Sequence, residues 1–247
     1  MSHAATMCLA VLASTAIASA DPADTRATPA TWPTELTQRP LTLGDQLGEL
    51  ELDATRTTTV MSSTATAGFG AAFGATDRWT IDAQHREGEN GVHATYGVVR
   101  SHAFELAPRV GVEAYDTDGQ DLWWAIRAGV ALEARAGRIA IVAMPSIAVG
   151  LGDGGASRAS VSMPITVELQ ATHQLAPYLR TGIAGSDQDS GAPVQYFAES
   201  FTIPIGIGAL LAVAPSCDLG VELAYPFAAG ALTAPESQLG VFGRFRM

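Results

Sequence analysis

The side chains of this chain that could do chemistry are carboxylates and guanidinium groups that recur at every second position. Ten of them form the candidate site: Glu51, Asp82, Arg109, Glu113, Arg127, Glu133, Glu168, Arg180, Glu222 and Arg244. Ionised groups of both signs can line a path for polar solutes, or they can neutralise one another as ion pairs. Either role requires a structure that brings them onto one surface.

Nucleophilic catalysis is a second chemistry to consider, and it needs a nucleophile, a base and an orienting group close together. The candidate bases His85 and His93 flank the segment that contains Asn90. With period two their side chains point to opposite faces of neighbouring strands, and no serine stands beside Asn90. We therefore predict that the chain is not an enzyme, with a barrel hydrolase as a minor alternative.

Metal and cofactor sites have weaker support. Asp116, Asp118 and Asp121 resemble the start of a calcium loop, but no glutamate completes the EF-hand pattern. We interpret them as a solvated acidic loop, with calcium as the alternative. The sequence has no glycine-rich phosphate loop, no paired-cysteine motif and no His-Glu metal helix, so we expect no cofactor.

Composition excludes several other classes of protein. The chain has 247 residues, of which 47% are apolar and 16% charged, and its net charge is -11. All 14 basic residues are scattered arginines, so nucleic acid is not an expected partner. The apolar runs at 7–20 and 203–214 are too short for a membrane-spanning helix.

Alternation of apolar and polar residues runs from about residue 50 almost to the C-terminus, most clearly at 79–84 and 161–172. Charges at this spacing would break the apolar stripe of a helix but suit one face of a strand. The pattern predicts twelve strands, at 49–60, 67–75, 79–86, 91–100, 104–115, 122–135, 138–151, 158–172, 177–186, 196–213, 218–225 and 238–247.

The connections between these strands alternate in length. Short turns such as 75–78 and 101–103 interleave with longer, mostly acidic and glycine-rich segments such as 61–66 and 116–121. A meander of this kind is typical of a transmembrane barrel, because the crossings of a β-sandwich would break the order. We therefore predict an all-β fold: a closed antiparallel up-and-down transmembrane β-barrel of about 12 strands (10–12).

The two faces of the predicted sheet differ in charge. One carries aliphatic and aromatic residues, and the other carries the ten candidate residues among glycines and alanines. The charge-free area exceeds what a core of this size can bury, so we expect it to contact lipid. Arg56 falls on this apolar face, which predicts a bulge or an early end of the first strand. Aromatic residues near predicted strand ends are typical of membrane interfaces: Trp79, Phe104, Trp124, Phe201, Tyr225, Phe227 and Phe245.

The N-terminal part has a different character. Residues 1–20 end in Ala18-Ser19-Ala20 after an apolar stretch, which is typical of a cleaved signal peptide. Residues 21–48 are rich in proline and threonine, and we interpret them as an extended periplasmic strap. The barrel is assigned to residues 49–247.

With these features the chain resembles bacterial outer-membrane β-barrels, in particular small single-chain porin-like proteins. The resemblance rests on the export signal, on the alternation of turns and loops, and on the last strand at 239–247. That strand is similar to the assembly signal of the family, but it ends in Met247, with Phe245 two places earlier. The resemblance implies a Gram-negative outer membrane, contact with lipid and lipopolysaccharide, and recognition of the C-terminal strand by the barrel assembly machinery.

The inward charges lead to the predicted function. Mixed signs at mid-strand heights favour a narrow porin-like channel for passive passage of small polar solutes or ions, and the excess of carboxylates favours cations. The alternative is a non-conducting structural or surface-interaction barrel with a lumen plugged by ion pairs. Both remain open because twelve strands lie between small filled barrels and large open porins.

Overall fold

The computed structural model describes residues 32–59, 61–86, 89–115, 123–151, 159–187, 202–228 and 236–247. In this part of the chain, no helix is long and apolar enough to cross a membrane, and a short 3-10 helix lies at Leu36–Gln38. The strands are β1 (Gly48–Thr59), β2 (Ser63–Gly74), β3 (Trp79–Arg86), β4 (Glu89–Tyr96), β5 (Val99–Arg100), β6 (Phe104–Tyr115), β7 (Trp123–Ala136), β8 (Ile139–Ala143), β9 (Ser146–Leu151), β10 (Ala159–Leu169), β11 (Leu175–Asp187), β12 (Thr202–Ala214), β13 (Cys217–Ala228) and β14 (Glu236–Arg246).

The sheet closes on itself. The first strand pairs antiparallel with the last, in a regular ladder from Glu49 opposite Arg246 to Thr59 opposite Glu236. Segments β4 and β5 both pair with β6, and β8 and β9 both lie between β7 and β10. Each of these two pairs is one interrupted strand, so the described residues form a closed twelve-stranded barrel, as predicted.

The interruption between β8 and β9 has a local cause in Pro145, which has no N–H to donate to the ladder. The carbonyl of Pro145 still accepts the Val130 N–H at 3.0 Å, and the Met144 N–H donates to the Pro164 carbonyl at 3.0 Å. The sheet therefore stays closed across the break, as a membrane environment requires.

The hairpin between β1 and β2 corrects two predictions. Strand β2 begins at Ser63 opposite Thr58, so a long connection at 61–66 is wrong: the β-branched Thr64 and Thr66 extend the ladder instead. Arg56 keeps a regular outward register, so neither a bulge nor an early strand end occurs. Near this end of the barrel its Nε–H donates to Ser63 Oγ at 2.9 Å, and a long cationic side chain can reach polar surroundings from there.

The outer surface of the barrel is apolar. Large aliphatic side chains stand exposed along the strands, for example Ile207 at 62%, Val110 at 54% and Val241 at 51%. In water this surface would be unfavourable, whereas in a bilayer it meets acyl chains while the closed ladder satisfies the backbone. The lipid-facing orientation of the apolar side is therefore the one that the fold supports.

Aromatic side chains lie exposed close to the ends of their strands. Trp79 and Phe104 begin β3 and β6, Trp124 is the second residue of β7, and Phe245 is the penultimate residue of β14. Tyr96 stacks beside Trp79 with ring centroids 4.7 Å apart. These positions fit an interfacial girdle. Phe201 and the side chain of Phe227 lie outside the described residues, as do residues 1–31, which include the predicted signal peptide.

Candidate functional site

Inside the barrel, the described residues enclose a cavity of about 320 Å³ and another of about 430 Å³. Four residues belong to the walls of both: Glu51, Asp53, Arg86 and Arg244. The larger cavity also has a hydroxyl-bearing wall, which includes Thr55, Thr57, Thr66 and Tyr178. The interior therefore combines empty volume with charged and hydrogen-bonding walls.

The ten predicted residues all lie on inward-facing positions, in two settings. Seven of them line the cavities: Asp82 and Arg109 the smaller one, Glu168, Arg180 and Glu222 the larger one, and Glu51 and Arg244 both. The other three, Glu113, Arg127 and Glu133, belong to ion-pair networks along the wall. The alternation along a strand predicts which side chains point inward. It does not predict how high in the barrel a charged side chain lies or which opposite charge it pairs with.

The sequence predicts that three arginines oppose four glutamates across the lumen: Arg109, Arg127 and Arg180 against Glu113, Glu133, Glu168 and Glu222. The observed ion pairs differ in part from this set. Arg127 pairs with Glu113, and Arg180 with Glu222 at 3.2 Å. Arg109 instead contacts Asp82 at 2.7 Å. Arg244 reaches Glu51 at 2.6 Å, on the strand that closes the barrel. The first and last strands are thus connected by an ion pair as well as by the backbone hydrogen bonds between them.

His93 sits at the centre of a network of ionisable groups on β3, β4, β6 and β7. Its side chain is 1% exposed, with Nδ1 at 3.2 Å from Asp82 Oδ2 and Nε2 at 3.0 Å from Glu113 Oε1. Glu113 also accepts the Tyr115 hydroxyl at 2.5 Å and pairs with Arg127. From the sequence His93 is a candidate catalytic base only, whereas in the structure it joins two carboxylates within the barrel wall.

Residues 32–47, which we call the inner segment, lie inside the barrel mouth that carries the short turns. Arg39 pairs with the fully buried Asp218, and the Arg135 guanidinium donates to the Arg39 carbonyl at 2.6 Å. Arg39 is a lumen residue that the sequence did not predict, because this segment has no hydrophobic period that would mark an inward face. Further wall partners of this segment are Thr80, Glu105 and Gln170.

Apolar side chains anchor the inner segment at two places. Leu36 packs with Ala176, Tyr178 and Leu210 on β11 and β12. Near β1, Trp32, Leu43 and Leu47 form a second buried cluster. The segment predicted as an extended strap therefore includes a 3-10 helix and is packed within the barrel over residues 32–47.

Comparison with known proteins gives structural likeness only. No family model matches the chain, and no curated protein matches it. The NanC porin matches with a TM-score of 0.60 at 10% identity, covering 80% of this chain and 100% of that one. An outer membrane channel from Pseudomonas putida F1 matches at 0.61 and 14% identity, covering 93% and 100%. The chain has the fold of an outer-membrane porin. A third such barrel, the KdgM porin, matches at 0.56 and 8% identity, covering 79% and 98%.

In this porin-type barrel, neither His85 nor His93, the two candidate bases, is arranged for nucleophilic catalysis. Both ring nitrogens of His93 contact carboxylates, whereas His85 lies on the outer face, stacked on Phe69, with Nδ1 at 2.5 Å from Asn90 Oδ1. Within the described ranges, no group of three metal-ligating side chains could hold an ion. The calcium candidates Asp116, Asp118 and Asp121 lie outside the described residues.

Gly74 allows the inner segment of the porin-type barrel to dock. The Gln46 N–H donates to the Gly74 carbonyl at 2.7 Å, and the Gly74 N–H donates to the Leu47 carbonyl at 2.9 Å. A Cβ at residue 74 would overlap the backbone carbonyl of Gly44. The turn at 44–47 can therefore dock only because residue 74 has no side chain.

We expect Gly74→Ala to undock this turn and to destabilise the barrel by about 1–3 kcal/mol, the usual cost of overpacking. Gly70→Ala is the matched control on the same strand and face, since its Cβ would meet no atom closer than 3.7 Å. In a Cys8→Ser, Cys217→Ser background, labelling of a cysteine placed at the fully buried Leu47 by a membrane-impermeant maleimide reports undocking of the turn. Equal labelling rates in the two variants would contradict this account of Gly74.

Proposed function

We propose that this barrel is a narrow channel in the outer membrane for passive passage of small polar solutes or ions. The observation that carries the proposal is the interior: charged and hydroxyl-bearing walls around cavities of about 320 and 430 Å³, inside a sheet whose outer face is apolar. Such walls replace part of the hydration of a polar solute. Two of the proteins with similar folds are porins and the third is an outer membrane channel, which supports a channel over a non-conducting barrel or a hydrolase.

Single-channel recording of the full chain in planar bilayers tests this proposal. We expect discrete current steps, and we expect the reversal potential in a salt gradient to have the sign of mild cation preference, because carboxylates outnumber arginines on the inner face. Heat-modifiable migration on a detergent gel shows separately that the barrel has closed. A folded barrel that carries no current would contradict the channel.

Narrowing the larger cavity should reduce the size of these steps. Thr57 lines that cavity, whereas its neighbour Thr58 is exposed on the outside. We expect Thr57→Trp to lower the unit conductance by about half, since the indole fills part of a narrow path. Thr58→Trp is the matched control and should leave the step size unchanged. An equal effect of the two substitutions would show that current does not pass through this cavity.

A further inference from the structure

We propose that the inner segment is the gate of this channel: residues 32–43 swing out of the lumen about a hinge at 44–47, and solutes pass while they are out. The inference rests on the proposed channel function. It adds the element that opens and closes the path.

The inner segment spans the full width of the barrel. The Leu41 N–H donates to Glu105 Oε2 on β6 at 2.9 Å, and Arg39 pairs with Asp218 on β13. Strands β6 and β13 are six neighbours apart in either direction around a ring of twelve strands, so these anchors lie on opposite walls. The segment also lines the smaller cavity through Trp32, Arg39 and Leu41. Solutes leaving that cavity toward the short turns therefore meet the inner segment.

A second span crosses the first. The Leu43 N–H donates to Thr80 Oγ1 on β3 at 2.8 Å, and Leu36 packs against Ala176 on β11. Strands β3 and β11 are likewise opposite in the ring. One short stretch thus bridges the lumen in two directions, which is the arrangement that a closed gate requires.

The wall groups that hold the inner segment keep partners without it. Asp218 also accepts from Arg246 at 2.6 Å, and Arg246 in turn contacts Glu49 at 2.8 Å. When Arg39 leaves, Asp218 therefore keeps one guanidinium partner, which it shares with Glu49. This matters because an unpaired buried carboxylate would oppose release strongly.

The same holds at the opposite wall. Glu105 accepts from Arg135 at 3.0 Å, and Arg135 also reaches Glu133 at 2.6 Å. Gln170, which accepts the Thr37 N–H, donates from Nε2 to the Thr172 carbonyl at 2.6 Å. A segment that never leaves the lumen does not require the wall charges it contacts to have any other partner. Here each of these groups has a second partner in or beside the wall.

Some contributions to the free energy favour the docked state of the inner segment, and others favour its release. Burial lowers the pKa of the Arg39 guanidinium from its ordinary value, while its hydrogen bond and charge interaction with Asp218 raise it. Among the described residues, the buried Trp32 Nε1–H has no hydrogen-bond partner. Release returns both groups to water, whereas the contacts of Leu36, Leu43 and Leu47 favour the docked state. The two states can therefore lie close in free energy.

The hinge is a compact turn between the gate and β1. The Leu47 N–H donates to the Gly44 carbonyl at 3.1 Å, and Gln46 has a φ of 58°, in the left-handed region. The two bonds to Gly74 hold this turn on β2, so residues 32–43 can move while 44–47 stay in place.

Recording of the full chain with a weakened latch tests the gate. We expect Arg39→Ala and Leu36→Asp each to raise the open fraction by about tenfold, the effect of losing one charged or apolar anchor. Arg56→Ala is the control, because Arg56 is an exposed arginine on the outer face. It should behave as the wild type.

A reversible lock provides the converse measurement. In a Cys8→Ser, Cys217→Ser background, Arg39→Cys and Asp218→Cys are joined by a reducible bis-thiosulfonate linker. We expect joining to abolish the current and reduction to restore it. A current that persists after joining would overturn the gate.

The outcomes separate the gate from the channel. Equal open fractions in the wild type, Arg39→Ala and Leu36→Asp would overturn the gate alone and leave the channel function standing. Silence of every variant, with folded barrels on the gel, would overturn both.

Discussion

Replacing Glu113 by leucine is expected to destabilise the barrel by about 3–5 kcal/mol, because removal of one member of a buried charge network leaves the opposite charge uncompensated. The Glu113 side chain is 1% exposed and bonds to His93, Tyr115 and Arg127. Without it, Arg127 keeps hydrogen bonds to the hydroxyls of Tyr115 and Ser146, at 3.1 Å each. Urea unfolding in phospholipid vesicles, followed by tryptophan fluorescence, measures the loss.

Glu222→Leu is the matched control for this prediction. Glu222 is also an inward glutamate paired with an arginine, but its partner Arg180 is 50% exposed and can turn to water. We expect this substitution to cost about 1 kcal/mol or less, as for other solvated ion pairs. Equal losses from the two substitutions would mean that burial does not set the strength of these pairs.

The strands of this barrel could be predicted because lipid on one side and charge on the other impose a strict period of two. Strands β3 and β6 occupy the predicted ranges 79–86 and 104–115. The start of β2 could not be predicted, because Ser63–Thr66 reads as a polar loop when the pairing with β1 is unknown. A polar loop and the polar end of a β-hairpin have the same kinds of residues, so the sequence does not distinguish them.

Inward direction was predictable, whereas the partner of each charge was not. Arg109 on β6 contacts Asp82 on β3 across the intervening strand β4, which adds His93 to the same network. Such contacts depend on strand register and on side-chain reach across the lumen. Neither quantity is readable from the period of a single strand.

The inner segment shows a different limit of the sequence. Its position depends on contacts with residues distant in sequence, such as Gly74 and Asp218. No sequence pattern within residues 32–47 predicts these contacts. The aperiodic composition was consistent with an extended strap. The consequence for function is large, since the element with the weakest sequence signal lies across the lumen.

The orientation of the two faces, on which the channel and its gate both depend, has a direct test. Val221 lies in the middle of β13 and is 44% exposed on the apolar face. We expect Val221→Arg to destabilise the barrel in vesicles by about 2–4 kcal/mol, because a guanidinium at the bilayer midplane loses its hydration. Urea unfolding in vesicles measures the difference.

Val213→Arg is the control that distinguishes an effect of the bilayer from the effect of a larger side chain. Val213 is exposed to a similar degree, 51%, but lies next to the last residue of β12, close to the barrel end. There an arginine reaches the interface, and we expect a loss of about 0–1 kcal/mol. A water-exposed outer surface would tolerate both substitutions equally. A graded loss that follows depth is what only a bilayer around the barrel produces, and it would show that the charged face encloses the lumen.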